Sequence, residues 1–115
     1  MSLFTKNVEP DLCSFVIFDS KSKTYGLPML EKNSEVLIRE LVTTFKKPEQ
    51  QATNHLFINA EDYSLFKNAE YDRRSGEFKT VSLEHIVNLH DLKARIPLAK
   101  PLNLVQDSGL GIDPT

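Results

Sequence analysis

The sequence predicts an α+β domain: an antiparallel sheet of about four strands made from two β-hairpins, with one amphipathic helix packed on it. Three observations carry that expectation. Two aromatic and β-branched runs each lead into a polar turn. An apolar stripe at three- and four-residue spacing lies between them. The chain has 115 residues, enough for one hydrophobic core and too few for two.

The first run, LCSFVIF from Leu12 to Phe18, is bounded by Asp19 and reads as a strand. SKSK, from Ser20 to Lys23, is the turn. Thr24 to Leu30 resumes as a second strand, placed at an edge because Gly26 weakens it and Pro28 lacks a ladder donor. The helix is expected over 34–47. Asn33 or Ser34 can cap it, Glu35 suits the positive end of its dipole, and Pro48 follows its end. Val36, Leu37, Ile38, Leu41, Val42 and Phe45 form its stripe, and Lys46 and Lys47 complement its carboxyl end.

Residues 48–60 read as a linker holding Leu56, Phe57 and Ile58. In EDYSLFKNAEYDRRSGEF, strict alternation groups Tyr63, Leu65, Lys67, Ala69 and Tyr71 on one strand face. Asp72 favours the start of a turn, and Gly76 can take the positive φ that closes one, so 63–71 and 77–81 should pair. Ser82 as a cap, with Leu83, Ile86, Val87 and Leu92 as a partial stripe, allows a short second helix over 83–92. Residues 1–11 read as a loose N-terminal arm, 12–96 as the single domain, and 97–115 as an extended or mobile tail rich in Pro and Gly. The expected core comprises Leu12, Phe15, Ile17, Leu37, Leu41, Phe45, Leu65 and Tyr71.

The two turns resemble each other. In FDSKSKTY and YDRRSGEF, an aromatic residue, Asp, a basic residue, Ser and a second aromatic recur at equal offsets. Shared turn chemistry produces such likeness without duplication.

The chemistry is more sparing. His55, His85, His90 and Cys13 contain no CxxC or HxxxH, so no metal or other cofactor is expected. No nucleophile elbow, P-loop or dinucleotide fingerprint appears, and the chain reads as a non-enzyme. Cys13 stands alone, so no intramolecular disulfide can form. No run approaches the ~20 apolar residues of a membrane span, and MSLFTKNVEPD lacks a signal-peptide core, which makes the cytoplasm the expected location.

Fourteen basic against sixteen acidic residues give a net charge of −2, which argues against binding nucleic acid by bulk electrostatics. Locally the balance differs: residues 20–47 carry +3 and the remainder −5. Lys21 and Lys23 in one turn, with Arg73 and Arg74 in the other, could form one positive rim if the tips lie side by side. Single-stranded DNA would then place phosphates on these four cations and stack bases on Tyr25 and Phe78. A plainer reading makes most rings core and the tips solvated charge. A third makes the chain a homo-oligomeric or partner-binding adaptor, using an edge strand and the leucines of its tail.

The order VIFDSKSKTYGLP, a helix carrying Arg39 and ending before Pro48, then AEDYSLFKNAEYDRRSGEF resembles the small non-structural protein of gokushovirus-type microviruses. These are phages with circular single-stranded DNA genomes. Glu61-Asp62-Tyr63-Ser64-Leu65-Phe66, Glu70-Tyr71-Asp72 and Ser75-Gly76 are the most specific part. Ala60 stands where proline is usual, and Asn68-Ala69 where Ile-Gly is usual. The resemblance implies a protein made in the host cytoplasm and absent from the particle. It further implies single-stranded DNA binding during the shift to single-stranded genome synthesis, with phage or host replication proteins as further partners.

Overall fold

The computed structural model describes residues 11–99, so the N-terminal arm up to residue 10 and the tail from residue 100 lie outside it. Strand β1 spans Leu12–Asp19, β2 Thr24–Tyr25 and β3 Met29–Glu31. Helix α1 follows at Ser34–Phe45, then α2 at Pro48–Thr53, α3 at His55–Ile58 and a 3-10 turn at Ala60–Asp62. Strand β4 is Tyr63–Asp72, β5 Glu77–Asn88, and helix α4 Leu89–Ala94. The architecture is α+β and the sheet antiparallel, in the order β2-β1-β4-β5, with β3 sharing β2's side of β1. The second segment of the first hairpin is therefore split, with the break at Gly26-Leu27-Pro28, where the ring of Pro28 removes a ladder donor.

One face of the sheet holds the core. Cys13, Phe15, Leu65 and Val87 meet Leu37 and Phe45 of α1, Phe57 of α3, Leu89 and Leu92 of α4, and Ile96. Asn33 caps α1, its Oδ1 accepting the Val36 amide at 2.9 Å. Lys46 is the cap residue at the other end and Lys47 is already the N-cap residue of α2, so the last turn of α1 carries no basic side chain. The segment 48–60, expected as a linker around Leu56, Phe57 and Ile58, forms two short helices and enters a 3-10 turn, and Phe57 packs on Phe45 with ring centroids 5.6 Å apart. Gln51 fastens the exit from the core: its Nε2 donates to the carbonyls of Phe45 and Pro97, and its Oε1 accepts the Ala99 amide.

Two expectations require correction. The helix expected over 83–92 begins only at Leu89, because β5 runs on through Ser82, Leu83, Ile86 and Val87 to pair with β4. A long central strand needs a partner along its length, and that demand outweighs a partial helical stripe. The second correction concerns phase. At Asn68, β4 carries an extra residue: Ser14 pairs with Ala69, but Phe15 pairs with Lys67. A bulge of this kind shifts alternation by one. Tyr63, Leu65, Lys67 and Glu70 therefore share the helix-covered face, while Ser64, Phe66, Ala69 and Tyr71 lie on the other. Tyr71 and Leu12, expected in the core, are only half-buried and pair with each other on the opposite face.

Candidate nucleic-acid interface

The two turns are built alike. In the first, Asp19 Oδ1 accepts the Lys21 amide at 2.9 Å and the Asp19 carbonyl accepts the Lys23 amide at 2.7 Å. In the second, Asp72 Oδ1 accepts the Arg74 amide at 2.9 Å and its carbonyl accepts the Gly76 amide at 2.8 Å. Lys23 and Gly76, at corresponding positions, both adopt the left-handed region, with φ of 60° and 75°. These short loops keep Lys21, Lys23, Arg73 and Arg74 exposed. The hydrogen bond from the Arg74 amide, first, and the Ser75 hydroxyl and amide after it hold the Asp72 carboxyl below the usual carboxylate range.

Each turn is flanked by a cross-strand aromatic pair. Phe18 and Tyr25 have centroids 4.8 Å apart at 48°, and Tyr71 and Phe78 are 4.7 Å apart at 47°. All four rings lie on the sheet face away from the core, by the register of β1 with β2 and β4 and of β4 with β5. Tyr25 is 47% and Phe78 56% exposed, so the outer ring of each pair is open to a ligand.

The pairs are far apart. Asp19 stands opposite Tyr63 at the start of β4, whereas Asp72 is at its end. At ~3.3 Å per residue, roughly 25–30 Å of strand separates the turns. Lys21 and Lys23 thus occupy one end of the sheet, and Arg73 and Arg74 the other. The single positive rim is not formed, because β1 and β4 are antiparallel neighbours and each hairpin closes at its own end. What the structure brings together is Lys21, Lys23 and Tyr25 at one end, and Arg73, Arg74 and Phe78 at the other.

Rings outside the expected set extend the first cluster. Phe66 lies 6.5 Å from Phe18, 6.0 Å from Tyr25 and 5.3 Å from His85, edge-on to each. Tyr25, Phe18, Phe66 and His85 thus form an aromatic row crossing β2, β1, β4 and β5. His85 Nε2 and Ser64 Oγ both meet Asn88 Oδ1, at 2.9 and 2.8 Å, steadying the far end of the row. The long-range pairing of β1 with β4 makes this row, and no local pattern shows it; the bulge at Asn68 adds Tyr71 to the same face, where simple alternation sets it apart from Phe66. Ser14, Val16 and Ala69, between the two ends on the same face, are buried.

Lys67 is on the covered side, where Nζ meets Glu70 Oε2 at 2.9 Å; that bond raises its pKa above the usual lysine value. Among the described residues, no group of three or more His, Cys, Asp or Glu is placed to hold a metal, and no helix is long and apolar enough to cross a membrane. No curated protein and no solved structure matches the chain. A family model described as "Phage ORF5 protein" matches residues 12–92, from the start of β1 into α4. The match covers most of the chain, which belongs to this phage protein family.

Proposed function

We propose that this phage protein is a non-enzymatic replication accessory that binds single-stranded DNA on the sheet face opposite the helices. One observation carries the reading: the row Tyr25–Phe18–Phe66–His85, with Lys21 and Lys23 on the turn beside it. Unstacked bases offer π-faces to such a row, and each stacked base contributes ~1–3 kcal/mol whatever its identity. The cations receive phosphates. A net charge of −2 fits a site that relies on stacking more than on bulk attraction. Paired bases inside a duplex cannot reach these rings, so single strands are the preferred form. The resemblance to microvirus non-structural proteins supports the same choice and a role in the host cytoplasm at the shift to single-stranded genome synthesis.

The test is a salt titration of a labelled oligothymidylate with the wild-type chain and the Lys21→Ala/Lys23→Ala variant. Affinity should fall as salt rises, and the variant's log–log slope should be shallower by about 1.4, the share of two phosphate contacts on a single strand. Binding that ignores both salt and the substitutions overturns the reading.

A second reading, a homo-oligomeric or partner-binding adaptor, draws on a different place. Beside β2, an open groove of about 330 Å3 is lined by Ile17, Leu27, Met29, Leu56 and Tyr63, of which Leu27 is 88% exposed. A second copy could seat its Leu27 there in a two-fold pair. Light scattering over a concentration series decides: a dimer abolished by Leu27→Asp supports this reading, and a monomer at every concentration removes it.

A further inference from the structure

The hairpins share more than turn chemistry. β1 and β4 run antiparallel at the centre of the sheet, and each has its hairpin partner on the outside. The two hairpins are therefore related by an approximate two-fold axis normal to the sheet, interrupted by the one-residue slip at Asn68, by the register shifts of β5 on β4 and by the break between β2 and β3. The axis carries Phe18–Tyr25 onto Tyr71–Phe78, on the same face and with the same tilt. It also carries Lys21 and Lys23 towards Arg73 and Arg74.

We propose that the Arg73–Arg74 end is a second single-strand site, so that one chain holds two segments of single-stranded nucleic acid with opposite polarity. The inference rests on the reading of the first end given above. A two-fold axis normal to the sheet reverses every direction lying in the sheet. A nucleic-acid strand is directional, so segments bound equivalently at the two ends run antiparallel. One short strand cannot satisfy both ends in this way, whereas two strands, or one long strand folding back, can.

The second site is the weaker. It has two rings where the first has four, and its two arginines are accompanied by the carboxylates of Asp11 and Asp72, both bonded to amides of the turn. Asp11 Oδ2 also accepts the Arg73 amide, which fixes one carboxylate at this turn. Losing one stacked base corresponds to roughly tenfold weaker binding.

The experiment counts oligonucleotides per chain by native mass spectrometry and calorimetry, using an oligothymidylate of about four nucleotides, too short to span the sheet. The expected result is two per wild-type chain, the second bound about tenfold more weakly, falling to one in Arg73→Ala/Arg74→Ala and to one in Lys21→Ala/Lys23→Ala. Phe78→Leu, which leaves the turn unchanged, should also reduce the count to one. One oligonucleotide per wild-type chain, unaffected by Arg73→Ala/Arg74→Ala, overturns the second site and leaves the first intact. No binding at all overturns both.

Discussion

The hairpin tips around Lys21 and Arg74 have the same turn, the same Asp cap and the same tilted ring pair, yet they sit in different surroundings. At the Lys21 end, Phe66 props the pair edge-on and is itself backed by His85, and the strands lie over the helical layer through Ile17 and Leu65. At the Arg74 end the pair lies on a two-stranded arm whose residues Glu77–Thr80 are all exposed. The backbone at the left-handed position differs too. Gly76 adopts φ 75° without steric cost, whereas Lys23 at φ 60° pays for its side chain. Strain is thus held at the first tip, where a cation is placed beside the row, and absent from the second. Local chemistry makes a turn. Its neighbours decide how much that turn can hold.

Substitutions can break this comparison in order of size. Phe66→Ala removes the ring that links Phe18, Tyr25 and His85, and should weaken single-strand binding at the first end by ~1–3 kcal/mol while leaving the second end unchanged; calorimetry on the Arg73→Ala/Arg74→Ala background isolates that effect. Gly76→Ala meets no atom within 4 Å but keeps an unfavourable φ, and should cost about 1–2 kcal/mol in urea melts. Lys23→Gly relieves the same strain at the other tip and should stabilise by about 1 kcal/mol while losing a phosphate contact.

The smallest effect is in pH. The Asp72 carboxyl is held below its unfolded value, so its contribution is fully present above the ordinary aspartate value of 3.8 and is lost as pH falls through the lower folded value. Asp72→Asn should therefore lower the Tm slightly near neutrality and converge on the wild type in acid, which flattens the acid limb of a Tm–pH curve.

Much of this comparison was legible in the chain. Asp followed by basic and small residues between aromatics specified both turns, because a side-chain oxygen and a left-handed residue act within five positions. Asn33, Phe15, Leu37, Phe45 and Leu65 were legible for the same reason: caps and periodic stripes are local. Lys21, Lys23, Arg73 and Arg74 were legible as exposed tips, though not as occupants of opposite ends. Phe66 and Phe18 as parts of one row were not, since only the register of β1 against β4 brings them together. Segment 48–60 escaped notice because helices of six and four residues are too short to show a period.

The sequence alone determined two matched hairpins, the helix between them, and the residue types at each tip, since these depend on interactions a few positions apart. Tertiary structure alone decided that β1 and β4 become antiparallel neighbours, which sends the tips to opposite ends and lines up four rings from four strands. That pairing joins residues some fifty positions apart, and its free energy comes from covering one face of the whole sheet, which no single segment encodes.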